Sequence, residues 1–185
     1  ANAGDLLITE FMPKSVGGGG DLGEWIELFN PGVAPLEISG CTLADSSTSH
    51  VIASSAVVPA GGYLTLARSA DDAENHGLVF DYVYSTITLS NSGEPISLTC
   101  GETLIDAVSY TSGQIREGLS IQLDPASFDA IANDDTGAWC QGMAVYGFAT
   151  TLGSPGQPNT PCPAAPMAWA RLQWPLDPPD AQATA

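Results

Sequence analysis

The sequence predicts an all-β sandwich of two mainly antiparallel sheets. Short apolar runs recur along the chain at a spacing of about eight to twelve residues, which is typical of sandwiches. Turn-forming residues separate the runs, and the chain carries 20 Gly and 14 Pro with only 14% charged residues. This composition favours short strands over long amphipathic helices. At 185 residues the chain is long enough for one β domain with an appendage.

The predicted strands follow one another in a regular order. The apolar runs are 6–12, 25–29, 36–43, 57–58, 63–67, 79–84, 87–89, 96–100, 104–110 and 119–123. Turn sequences lie between them at 30–32, 59–62, 91–93 and 100–102, where Asn, Pro and Gly are concentrated. These residues favour turns because of their backbone preferences, so we expect hairpins or corners there.

The third run changes its apolar phase in the middle. Leu36 and Ile38 share one parity, whereas Cys41 and Leu43 share the other. Because side chains alternate along a strand, one extra residue restores the inward phase. We therefore expect a bulge at Ser39–Gly40 within one continuous strand.

Four cysteines indicate two disulfides. Cys41, Cys100, Cys140 and Cys162 lack the spacing of a zinc site. Cys100 shares the parity of Ile96 and Leu98, so a Cys41–Cys100 bond within the core is preferred. That choice leaves Cys140 with Cys162, which would pin the irregular stretch 147–163, although the sequence alone leaves the other two pairings open.

The charge and the cysteines limit partners and compartment. The net charge of −17, with only four Lys and Arg, opposes binding to nucleic acid. No run is long enough to span a membrane. Disulfides predict an oxidising compartment, and the chain has no Asn-x-Ser/Thr site for glycosylation. We expect a bacterial extracellular, cell-surface or periplasmic protein.

Seven short sequence motifs, in the order in which they occur along the chain, resemble those of the lamin tail domain family. They are Ile8–Pro13, Glu24–Asn30, Gly40–Asp45, Val58–Tyr63, Leu89–Glu94, Ile105–Tyr110 and Gly153–Asn159. The resemblance covers roughly residues 5–159 and implies an immunoglobulin-like β-sandwich with a non-catalytic role, often in exported bacterial proteins. The predicted domain is residues 1–160, followed by a Pro-rich tail at 161–185 that docks on the domain or on a neighbour.

The residues that could support catalysis have simpler explanations. His50 and His76 lie in polar loops without a nucleophile elbow. Glu24 with Glu27 or Glu10 is the candidate carboxylate pair for glycoside hydrolysis, but Glu24 and Glu27 have opposite parity on one strand and point to opposite faces. Asp106 shares the parity of apolar neighbours, and we expect backbone donors or a cation to satisfy it. We therefore predict that the chain is not an enzyme.

The strongest candidate site is an acidic loop at 124–135. Its oxygen donors are of the type that Ca²⁺ prefers, although their spacing is not that of an EF-hand. They are Asp124, Asp129, Asn133, Asp134 and Asp135. A structural Ca²⁺ there is the one cofactor that the sequence suggests.

The sequence predicts a module that docks on a protein or adheres to a cell-surface component. Trp139, Trp169 and Trp174 are the candidate interaction residues, because an exposed indole readily contacts a partner. The alternative is a calcium-stabilised carbohydrate-binding or surface-anchoring module, for which these indoles would form the aromatic platform.

Overall fold

The structure is a computed structural model that describes residues 1–16, 21–53, 55–148 and 151–164. Its strands are β1 (Leu7–Met12), β2 (Trp25–Phe29), β3 (Leu36–Glu37), β4 (Cys41–Ala44), β5 (Ser49–Val51), β6 (Val57–Val58), β7 (Tyr63–Ala67), β8 (Tyr82–Val83), β9 (Pro95–Cys100), β10 (Thr103–Ser109), β11 (Ile121–Leu123), β12 (Trp139–Gln141), β13 (Val145–Tyr146) and β14 (Thr151–Leu152). One short α-helix, α1, covers Asp72–Asn75, and 3₁₀ turns cover Pro125–Ser127, Ala132–Asp134 and Thr136–Ala138.

Two sheets form the predicted sandwich. The larger has the order β12-β11-β1-β2-β7-β8, and the smaller has the order β10-β9-β4-β5. Every pair in them is antiparallel except β7 with β8. Both sheets contribute to the main core, for example through Ile8 and Leu28 of the larger and Leu43 and Leu98 of the smaller. The all-β sandwich prediction is confirmed.

The larger sheet is buried on both faces. A bulge in β1 shifts the register between Ile8 and Glu10, so that Ile8 and Phe11 reach the main core. Met12 and Trp25 belong to a separate apolar cluster on the opposite face, which we call the outer face. The C-terminal part of the chain contacts this face, since the Trp25 indole N–H donates to the Tyr146 hydroxyl at 2.7 Å.

The strand predicted at 36–43 is broken rather than bulged. β3 pairs with β6 in a sheet of its own, whereas β4 pairs with β5 and β9. The Cys41 N–H donates to the Ile38 carbonyl, and Gly40 has a φ of 80°, which glycine adopts without steric cost. The phase change therefore marks a turn between two sheets.

Both preferred disulfides are present. Cys41 and Cys100 lie directly opposite each other on β4 and β9 and are bonded. Cys140 of β12 is bonded to Cys162. The described residues 147–148 and 151–163 are irregular as predicted except for β14, which the sequence analysis missed.

Candidate docking groove

A groove lies where the start of the chain, β10 and the loop 128–134 meet. It has a volume of ≈ 700 Å³. Ile131, which is 82% exposed, and Leu104, which is 52% exposed, form its apolar rim. A smaller cleft of ≈ 320 Å³ shares Gly4 and Pro31 with it. Clustered exposed apolar side chains are typical of interaction surfaces.

Asp106 lies at the base of this groove. A shift of register between Leu104 and Asp106 turns its side chain toward the larger sheet, where Oδ2 accepts the Ile8 N–H at 2.6 Å. The Asn133 amide donates to the same oxygen at 2.8 Å. Burial raises the pKa of Asp106 to about 6, although these hydrogen bonds lower it. The expectation that hydrogen-bond donors satisfy Asp106 is confirmed for this oxygen.

Two further carboxylates make the groove acidic. Asp129 and Asp134 line it beside Asp106. Asp129 also orders the loop, because its Oδ1 accepts the N–H groups of Ile131 and Ala132. The resulting surface combines an apolar rim with negative charge, which suits a segment that is both apolar and basic.

Four of the five predicted calcium ligands, Asp124, Asp129, Asn133 and Asp135, make separate local hydrogen bonds. Asp124 and Asp135 cap 3₁₀ turns, and Asp124 also accepts the Cys162 N–H at 3.0 Å. Asn133 is buried and points at Asp106. Among residues 1–16, 21–53, 55–148 and 151–164, no three His, Cys, Asp or Glu side chains are grouped so that they could hold a metal ion. Calcium binding by this loop stays a prediction.

Trp139 is a core residue rather than an exposed platform. It is only 8% exposed, its ring centroid lies 5.3 Å from that of Phe11, and its indole N–H donates to the Asn133 carbonyl at 2.8 Å. The prediction that the Trp139 indole is exposed for interaction is therefore wrong, because its side chain on β12 points into the core of the sandwich. Trp169 and Trp174 lie outside the described residues.

A second acidic cluster is buried on the outer face. Glu10 and Glu27 lie opposite each other on β1 and β2. Glu10 accepts hydrogen bonds from the Ser120 hydroxyl and from the Ser154 N–H and hydroxyl. Glu27 accepts the Thr9 hydroxyl and the Gly156 N–H, both at 2.7 Å. We call this network the carboxyl clamp, because it fastens the segment 153–159 to the sheet.

Burial controls the ionisation of the clamp. It raises the pKa of Glu10 to about 7 and that of Glu27 well above its usual value, to which the charge of Glu10 contributes. Both side chains are fully buried and hydrogen-bonded to the protein. Because the two carboxyl groups have no access to solvent, we infer that they hold the segment 153–159 by hydrogen bonds rather than act in catalysis. The family motif Gly153–Asn159 was the sequence signal for this segment.

The histidines make contacts of a structural kind. A ring nitrogen of His50 lies 2.9 Å from the Tyr82 hydroxyl, and one of His76 lies 2.9 Å from the Val16 carbonyl. Glu24 faces away from Glu27, accepting the Leu89 N–H at 2.9 Å with Arg68 beside it at 3.1 Å. The catalytic combinations considered from the sequence are thus not assembled by these residues.

Comparison with known proteins places the chain in context. The sequence model described as Lamin Tail Domain matches residues 1–112. None of the curated proteins compared with the chain matches it. Within the described ranges, no helix is long and apolar enough to cross a membrane. The groove loop and the segment 153–159 of the clamp lie beyond the matched residues.

Proposed function

Because the chain belongs to the lamin tail domain family, we propose that it is a non-catalytic module of an exported bacterial protein that docks on a protein or cell-surface component. The groove is the observation that carries this proposal. Its exposed Ile131 and Leu104 stand beside Asp106, Asp129 and Asp134, a combination that favours an apolar segment with positive charge.

Export is supported by two disulfides, which persist in oxidising compartments. The net charge of −17 supports a basic partner and opposes nucleic acid. Immunoglobulin-like sandwiches present binding surfaces on a rigid scaffold, and the groove is built in this way from β10 and its neighbouring loops.

An array of short synthetic peptides that vary in Arg and Leu content tests the docking function. We expect the retained peptides to combine basic and apolar residues. The double variant Leu104→Ser/Ile131→Ser should lose them, whereas Val51→Ser/Val79→Ser, which alters exposed apolar residues outside the groove, should retain them. Equal retention by both variants would remove the groove as the docking surface.

The alternative function, a calcium-stabilised carbohydrate-binding or surface-anchoring module, has a separate test. A calcium site at 124–135 requires the melting temperature to rise in calcium and to fall in chelator. Asp129→Asn/Asp134→Asn should abolish that difference, because both residues are proposed ligands. Identical melting of the unaltered protein in calcium and in chelator would contradict the site.

A further inference from the structure

We propose that the segment 166–176 of this chain occupies the groove in the same molecule, as a built-in competitor for external partners. The proposal rests on the groove being the docking surface of the proposed function. It concerns a segment outside the described residues, and its support comes from the anchor, the reach and the chemistry set out below.

The last described part of the chain is anchored at the start of the segment that leads into the groove. The Thr160 carbonyl accepts the Gln122 amide at 2.6 Å, and the Cys162 N–H donates to Asp124. The Cys140–Cys162 disulfide fixes the same point to β12. Asp124 begins the 3₁₀ turn that leads to Phe128 and the groove-lining residues after it. The tail therefore starts close to one end of the groove.

The remaining chain is long enough to reach it. Asp124 and Phe128 are four residues apart, so at most ~14 Å of chain separates the anchor from the wall. From Cys162 to Trp169 the chain spans up to ~25 Å when extended. The first tail indole can thus reach the groove within one molecule, and the following residues can lie along it.

The tail combines apolar side chains with one positive charge, which complements the apolar rim and the carboxylates of the groove. Its apolar residues, Met167, Trp169, Leu172, Trp174 and Leu176, match the exposed rim. Arg171 is its only cation in a chain that has just four Lys and Arg. Three carboxylates line the groove beside Leu104 and Ile131, so the groove offers negative charge for Arg171 and an apolar contact for the tail in one place.

Trypsin cleavage after Arg171 tests the proposal on the full chain, with mass spectrometry resolving that site from Lys14, Arg68 and Arg116. We expect Leu104→Ser/Ile131→Ser to cleave about tenfold faster, the change that corresponds to about 1.4 kcal/mol. The control Val51→Ser/Val79→Ser should match the unaltered protein. Equal rates in all three proteins would overturn the proposal.

Dilution and quenching separate the remaining arrangements. Occupation within one molecule requires the cleavage rate to be independent of protein concentration, so protection that is lost on dilution would assign the groove to a second copy and overturn the proposal. Acrylamide quenching gives a second readout, because Trp25 and Trp139 are buried and provide a constant background. Quenching should increase in the groove variant alone.

Peptide binding distinguishes this inference from the proposed function. Trp169→Ala/Trp174→Ala should retain more array peptides than the unaltered protein, because the competitor is weakened. Unchanged peptide retention together with unchanged trypsin rates in the groove variant would refute the inference and leave the docking function intact. Protection of Arg171 in the unaltered protein, with no peptide retained even by Trp169→Ala/Trp174→Ala, would refute the docking function and leave the groove occupied by the tail.

Discussion

Glu10 shows how one residue can join distant parts of the chain. It lies on β1, and its oxygens accept hydrogen bonds from Ser120 and Ser154. Removing a buried acceptor leaves its buried donors without hydrogen-bond partners. The resulting loss of stability is larger than the net contribution of the hydrogen bond itself. Glu10 is therefore a structural residue, even though a carboxyl with a raised pKa often marks a catalytic site.

Replacement of Glu10 should depend on the shape of the new side chain. Glu10→Ala is expected to lower the free energy of unfolding by about 2–3 kcal/mol, because the Ser154 N–H loses its acceptor. Glu10→Gln should cost about 1 kcal/mol or less, since an amide resembles the protonated carboxyl. Urea denaturation measures both, with exposed Glu102→Ala as the control. An equal loss for Ala and Gln would contradict the clamp.

Gly142 is required by space rather than by backbone freedom. A Cβ at this position would lie 2.1 Å from the Ser120 hydroxyl oxygen and 3.0 Å from Glu10 Oε1. Gly142→Ala should therefore destabilise the protein by about 1–3 kcal/mol, as overpacking does. Gly113→Ala is the matched control, because its Cβ would meet an atom only at 3.7 Å. Thermal unfolding of the two variants compares them directly.

At the scale of elements, sequence patterns predicted which segments are strands better than they predicted how those strands pair. Alternation marked β2, β7 and β9 correctly because each has one face in the main core. The alternation pattern failed at 36–43, because the first part of this run pairs in one sheet as β3 and the second part pairs in another sheet as β4. Parity also could not reveal that the segment 153–159 covers the outer face, which buries Glu27 opposite the core.

The two disulfides should differ in their contribution to stability. The loop-entropy relation assigns about 4 kcal/mol to Cys41–Cys100 and about 3 kcal/mol to Cys140–Cys162, since their sequence separations are 59 and 22. Paired Cys→Ser variants and denaturant titration measure each loss. Cys140→Ser/Cys162→Ser should also weaken tail protection at Arg171, and an unaltered cleavage rate there would contradict the role of the anchor.

At the scale of the whole molecule, buried carboxyl groups link stability to pH. Burial raises the pKa of Glu10 to about 7, of Glu24 to about 8 and of Asp106 to about 6. Between the ordinary carboxyl pKa and these values, the folded protein holds more protons than the unfolded chain. Their contribution is complete below the ordinary pKa and is lost as the pH rises through the folded values.

We therefore expect the free energy of unfolding to fall as the pH rises from 5 to 8. Urea denaturation across this window measures the slope, which Glu10→Gln should reduce. Hydrogen bonds lower the pKa of Glu37 to about 2 and also lower that of Asp129, so stability should fall again in stronger acid. A stability that rises between pH 5 and pH 8 would refute the raised values.

The position of β1 has a consequence for the order in which the chain can fold. β1 is made before the other strands of its sheet, yet it lies between β2 and β11 in the finished sheet. One of its edges therefore stays unpaired during synthesis until residues 121–123 have emerged, which delays closure of the sheet and leaves a strand edge open to misassembly. The residues that identify the family thus depend, for their own completion, on a later part of the chain that the family match does not include.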